Sequence, residues 1–205
     1  RAPYFYFIER HIYKCFDFLT VPHASCIKAY KGLIDSYKIK VIPQGFNMDN
    51  IKLAERHTSD KVTFAYAGVF YSDIRNPKFL LDKLVQLDSD FRFEIYLRER
   101  NASTTNLLDK YAAHLGDKLF VQYGVERIEL LYKLSSVDFL INIENLTTTQ
   151  IPSKLIDYAI TERPIYSCSS VNFSDTNFNK FLQGDYSLSL KIDKANHNIK
   201  KVAKQ

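Results

Sequence analysis

Neither a GxGxxG fingerprint nor a GxxxxGK[ST] phosphate loop occurs in this sequence, so the two commonest short signatures of nucleotide binding are missing. The cysteines, Cys15, Cys26 and Cys168, lie far apart and never as CxxC, which argues against a disulfide framework and a zinc site. Reduced, buried thiols in a cytoplasmic protein are expected instead. His23, His57, His114 and His197 fall in unrelated segments, His11 reads as packing on one face of an aromatic helical segment, and no His/Asp/Ser or Cys/His arrangement for nucleophilic catalysis is legible. No apolar run approaches the ~20 residues that cross a bilayer. Internal repeats and low-complexity segments are absent too.

What is present is a chain of 205 residues, 46% apolar, enough for a substantial core. The formal charge of +5 favours anionic partners. Nucleotides, phosphates, nucleic acid and acidic membranes all qualify, so charge selects none of them. The basic residues are scattered except in "NIKKVAK" (198–204), which reads as a solvated, amphipathic terminal helix. The start, "RAPYFYFIERHIYKCFDFLTVP", has no Met and a burst of aromatics, and reads as the middle of a longer protein.

Short runs rich in Val, Ile, Phe and Tyr mark strands at "DFLTVP" (17–22), "IKVIP" (39–43), "VTFAYAG" (62–68), "FRFEIYL" (91–97), "KLFVQYG" (118–124), "VDFLINI" (137–143), "PIYSC" (164–168) and "YSLSL" (186–190). Helical patterns separate most of them from Val62 onward: "NPKFLLDKLVQL" (76–87), "STTNLLDKYAAHL" (103–115), "RIELLYKLS" (127–135) and "PSKLIDYAITE" (152–162). Parallel strands need crossover helices, so the alternation predicts an α/β domain, a Rossmann-like, doubly wound parallel sheet of about six strands. Residues 1–50 supply helices ("YFIERHIYKCF", "ASCIKAYKGLI") and strands from the end of another unit; a polar stretch (44–60) links them to a domain over 51–205.

In such sheets ligands bind beyond the carboxyl ends of the strands. Gly68 ends one strand, and Arg75 is expected at the start of the next helix; the two make either a phosphate site or a turn with a surface arginine. Gly124, Val125 and Glu126 form a strand-to-helix turn whose backbone groups could read a nucleobase edge, or only turn the chain. Pro152 suits the first helical position. At 100° per residue Ile151, Leu155, Tyr158 and Ala159 share a packing face, and Ser153, Lys154 and Asp157 gather opposite. That polar face either meets a pyrophosphate through the helix terminus and Lys154, with Asp157 on a ribose diol, or is a solvated surface with an i,i+3 ion pair. Glu144, at a strand end, could meet a sugar hydroxyl or serve as a polar exit residue.

The order of these segments resembles a family. "FDFLTVPHASCIKAYKGLID…IKVIPQGFN" resembles the domain junction of retaining GT-B glycosyltransferases (family 4-like, group 1). "VTFAYAGVFYSDIRNPKFLLDKL" is similar to the first strand, glycine and helix of their donor domain, and "LGDKLFVQYGVERIELLYKLSSVDFLINIE" to its strand, glycine, helix and strand. "IPSKLIDYAITERPIYS" resembles the variant in which Pro-Ser-Lys precedes the last strand motif. The likeness spans about 16–170.

The resemblance implies a C-terminal domain that binds a nucleoside diphosphate sugar. By it, Asp157 falls on the ribose carboxylate and Arg75 on a basic phosphate position. Gly124, Val125 and Glu126 fall on the base-contacting turn, and Pro152, Ser153 and Lys154 on the segment facing the diphosphate. Thr149 stands where the family has its first Glu, and the family's Gly-Phe-Gly is absent. The implied activity is glycosyl transfer from a UDP- or GDP-sugar to a carbohydrate or lipid-linked acceptor, in surface polysaccharide biosynthesis, without metal or other cofactor and without nucleic acid. The acceptor domain would precede this chain and mediate peripheral association with the inner membrane face. A non-catalytic nucleotide-binding or protein-interaction module on the same fold is the rival reading, motivated by Thr149.

Overall fold

The computed structural model describes residues 3–55, 61–145 and 153–204. Its contacts divide the chain into two compact units: a smaller one joins the residues up to Met48 to those from Asp193, and a larger one runs from Asp49 to Ile192, Ser153 apart.

The smaller unit opens with α1 (Pro3–Lys14), which leaves Tyr4, Phe5 and Phe7 exposed. It continues with two short strands, β1 (Leu19–Val21) and β2 (Ile39–Val41), paired in parallel. The helix expected in "ASCIKAYKGLI" is a 3-10 segment, Ala24–Tyr30, with the His23 side chain accepting from the Ser25 amide at its start.

The larger unit is a five-stranded parallel sheet of β3 (Val62–Gly68), β4 (Phe91–Leu97), β5 (Leu119–Tyr123), β6 (Phe139–Ile143) and β7 (Ile165–Cys168), in the order β5-β4-β3-β6-β7. The crossovers are α2 (Lys78–Val85), α3 (Ala102–Leu115), α4 (Arg127–Ser136) and α5 (Lys154–Thr161), followed by α6 (Asp175–Leu182). Period-2 alternation sends Phe64, Tyr66, Phe93, Ile95, Phe139 and Ile141 to one face, where Leu80, Leu84, Leu108, Phe178 and Phe181 of α2, α3 and α6 cover them. Ala65, Ala67 and Leu140 point the other way, onto Leu134 of α4 and Leu155 and Tyr158 of α5. Both faces are thus covered by helices, the doubly wound Rossmann-like architecture.

Two elements of the larger unit also depart from expectation. "YSLSL" is not a strand: the Leu190 amide donates to the Ile165 carbonyl and Ser189 Oγ accepts from the Ile165 amide, so it only caps the edge of β7 and the sheet has five strands. α6 has no counterpart in the expected helices, although Ser174 caps it and Phe178 and Phe181, one turn apart, are fully buried. Of the thiols, Cys168 is buried, Cys26 half-buried and Cys15 exposed, so the expectation of buried thiols holds in full only for Cys168. Among the described residues no helix is long and apolar enough to cross a membrane.

The C-terminal residues complete the smaller unit. The Phe46 amide donates to the His197 carbonyl at 2.8 Å and the Ile199 amide to the Phe46 carbonyl at 3.0 Å, ahead of the short α7 (Ile199–Val202).

Candidate functional site

The chain runs outward from β3 through β4 to β5, then returns to the other side of β3 for β6 and β7. The crevice between the carboxyl ends of β3 and β6 is therefore the topological switch point. The register between the two strands holds only Phe64 against Phe139 and Ala65 against Leu140. Beyond it the Tyr158 hydroxyl stands between them, accepting from the Ala67 amide at 2.7 Å and reaching the Ile141 carbonyl at 3.1 Å. Complete burial raises the Tyr158 phenol far above its ordinary range, so it stays a donor at every working pH.

Past this wedge lies Gly68, with φ of +144°, a conformation that L side chains avoid. A Cβ there would come within 3.1 Å of the Tyr66 hydroxyl and 3.7 Å of Lys154 Cδ. Glycine thus leaves room for the Tyr66 hydroxyl, while the Lys154 stem would meet such a Cβ at ordinary contact distance. Tyr66 donates to the Val69 carbonyl and stacks on Phe70 at 4.4 Å between ring centres. Burial pushes its phenol up to about 12, against the pull of Arg75.

Arg75 is not at the start of a helix, as expected. α2 begins at Lys78, and Arg75 closes the loop before it through backbone hydrogen bonds with Tyr71. From there its Nε and Nη2 reach Asn145 Oδ1 at 3.0 and 2.7 Å, and Nη1 donates to the Val69 carbonyl at 3.3 Å. The guanidinium therefore spans the crevice from the loop after β3 to the residues after β6, and among the described residues it is satisfied by neutral acceptors.

Lys154 departs furthest from the sequence reading. It does not lie on a solvated face: its ammonium is buried, has no hydrogen-bond partner, and sits 4.3 Å from the Tyr66 ring centre and 5.8 Å from that of Tyr158. Burial pushes the amine well below lysine's usual range, and the nearby Arg75 charge pushes it the same way, with Cys168 acting weakly in opposition. A desolvated cation–π contact contributes about 2 kcal/mol. Taking an ammonium out of water costs several kcal/mol, so the ring does not offset the burial. The ion pair with Asp157 that a solvated face would show is not formed.

Asp157 pairs instead with Arg127, the first residue of α4, whose Nε and Nη2 both reach Asp157 Oδ1, at 3.0 and 2.7 Å. Arg127 follows directly on the turn of Gly124, Val125 and Glu126. Gly124 takes φ of +68° and donates to the Leu97 carbonyl, Val125 packs under the α4–α5 face, and Glu126 occupies the α4 cap position without a side-chain cap bond. Ser153 is exposed just ahead of α5, whereas Thr149 and Pro152 lie outside the described residues. Glu144 accepts from Ser167 Oγ at 2.8 Å and Asn172 Nδ2 at 3.0 Å, which ties it to the β7 end.

Gly68, Arg75 and Lys154 thus meet around Tyr66, and Asp157 joins the end of the Gly124 turn through Arg127. Beside Arg75 a cleft of about 350 Å³ opens on the α2 side, lined among others by Asn76, Lys78, Asp82, Glu144 and Ser169. The sequence reading missed Tyr66 and Arg127 as parts of the site. Arg127 had a signal, a basic residue opening a helix after a strand-end glycine; Tyr66, one of many strand aromatics, had none.

No protein-family model matches the chain, and no curated protein does. Solved structures do. A glycosyltransferase from Rickettsia africae ESF-5 superposes with a TM-score of 0.61 at 15% identity over 77% of this chain and 47% of its own. The lipopolysaccharide outer core galactosyltransferase WaaB, in its apo form, gives 0.64 at 12% over 92% and 60%. Anabaena HepE in complex with UDP-glucose gives 0.64 at 9% over 100% and 67%. The chain spans about half to two thirds of the length of these structures. At such identities the likeness is one of fold: this chain has the Rossmann-like fold of the GT-B glycosyltransferases, the class that the sequence resembles.

Proposed function

We propose that this chain is the donor-binding part of a glycosyltransferase that takes its sugar from a nucleoside diphosphate sugar. The observation that carries the reading is a pair of basic side chains at the switch point that meet no carboxylate among the described residues. Arg75 is held by the neutral Asn145 and Val69 oxygens, and Lys154 has no hydrogen-bond partner. A diphosphate supplies two negative charges and the acceptor oxygens that both groups lack.

In this reading Arg75, Lys154 and the amino end of α5 hold the diphosphate and stabilise the charge that grows on it as the sugar departs. Ser153, just ahead of α5, is assigned to the same phosphates. Asp157, with Oδ1 held by Arg127, offers Oδ2 to the ribose diol. Gly124, Val125 and Glu126 meet the base, and the cleft beside Arg75 gives the glycosyl group room. No metal or other cofactor is assigned a role, and the acceptor is a carbohydrate or lipid-linked saccharide bound mainly by another domain. Neighbours of the same fold have been solved with UDP-glucose and with UDP, and others are named for lipopolysaccharide synthesis, which supports a UDP-sugar and a place in surface polysaccharide assembly.

Calorimetric titration of the 205-residue chain with UDP, GDP, UDP-glucose and GDP-mannose tests the donor site. Saturable binding of at least one is expected, and no binding at millimolar concentration overturns the reading. Release of UDP or GDP from the sugar nucleotide by the chain together with its acceptor domain separates an enzyme from a binding module.

A further inference from the structure

Lys154 is buried where the groups facing it make a charged state hard to keep. From β3 it faces the Tyr66 ring, from the loop after β3 the Arg75 guanidinium, from β7 the Cys168 thiol, and on its own helix the Tyr158 ring. Burial keeps Tyr66 and Cys168 protonated and neutral, each raised to about 12, and Tyr158 is raised further. Asp157 is turned to Arg127. Among the described residues the charged group left to act on Lys154 is Arg75, of the same sign. Residues 146–152, LTTTQIP, contain no ionisable side chain, so no carboxylate can come from that stretch. A buried amine without an acceptor and next to a like charge gives up its proton.

We infer that Lys154 is an uncharged amine in the empty site and takes a proton from solvent when the diphosphate arrives, so that donor binding is coupled to proton uptake. The inference rests on the donor-site reading and adds regulation to it. The balance is simple: the empty protein and one proton from the buffer, with the dianionic diphosphate, give a complex in which the Lys154 ammonium faces a phosphate oxygen. The Arg75 fork needs no such step, because a guanidinium stays charged at any accessible pH.

The sign of the linkage follows. Burial and Arg75 lower the amine in the empty site, and the diphosphate raises it in the complex. Between those two values the complex holds one more proton than the free protein. Affinity therefore falls as pH rises through this window, by as much as about tenfold per pH unit.

The test is calorimetry with UDP-glucose and GDP-mannose, whose phosphates are diesters with no proton to exchange near neutrality. Each titration is run at one mildly alkaline pH in two buffers of different ionisation enthalpy. An uptake approaching one proton per sugar nucleotide bound is expected, with none for Lys154→Arg. Binding without proton uptake by the unaltered chain overturns the inference and leaves the donor site standing. Undiminished uptake in Lys154→Arg assigns the proton to another group and overturns it too. If neither nucleotide binds, the donor-site reading falls and takes the inference with it.

Discussion

The Tyr158 hydroxyl accepts the Ala67 amide proton at 2.7 Å, in a place where β6 would otherwise pair with β3. One side chain from α5 thus ends the ladder and holds the crevice open. The loss of strand pairing is offset because the same hydroxyl reaches the Ile141 carbonyl.

Tyr158→Phe should leave the Ala67 amide and Ile141 carbonyl buried and unpaired. A loss of about 1–3 kcal/mol is expected, the cost of unsatisfied buried polar groups. Urea unfolding monitored by far-UV circular dichroism would measure it. An unchanged midpoint would mean that the strands close directly on each other.

Lys154→Met should stabilise the empty protein, because an apolar side chain of similar length replaces an amine with no partner. About 1–3 kcal/mol is expected. The pH dependence has a definite sign. The lysine's folded-state value is lowered, so between that value and its ordinary one the unfolded chain binds the extra proton, and stability of the unaltered protein rises with pH. The advantage of the variant should therefore shrink as pH rises toward lysine's ordinary range. Thermal melts of both proteins across a pH series would show the two curves converging; parallel curves would contradict it.

Asp157→Asn should weaken nucleotide binding by about tenfold, the scale of one charge-assisted hydrogen bond. The loss should be smaller for a 2′,3′-dideoxynucleoside diphosphate, which has no diol to offer. Arg127→Met should produce a similar, weaker pattern, since Asp157 loses the clamp on Oδ1. Calorimetry with paired ribo- and dideoxynucleotides reads the difference, and equal losses for both ligands would remove Asp157 from ribose recognition.

Gly68→Ala should cost about 1–3 kcal/mol, because φ of +144° is strained for any L side chain. Its Cβ would also press on the Tyr66 hydroxyl at 3.1 Å. Chemical denaturation gives the stability term, and affinity for UDP-glucose should drop with it through displacement of Tyr66, over which Lys154 sits.

The strands were legible because each buried run in β3, β4, β6 and β7 is short, apolar and closed by a turn residue. Gly68 and Gly124 marked ends where φ is positive. α6 was not anticipated, since its polar residues outnumber the two phenylalanines that anchor it. "YSLSL" alternates like a strand, but binds the edge of β7 through one backbone amide and one serine hydroxyl instead of a ladder.

By itself the sequence determined the alternation of strand and helix, hence a parallel sheet whose ligand end is the carboxyl end, and it placed Arg75, Lys154 and Asp157 near that end. Helical periodicity could only sort Ser153, Lys154 and Asp157 onto one polar face. The tertiary structure decided that Lys154 is buried over Tyr66 and that Asp157 belongs to Arg127. The reason is physical: a residue's angle on its helix follows from local geometry, but its burial and partners depend on side chains 30 to 90 positions away that only the packed sheet brings close.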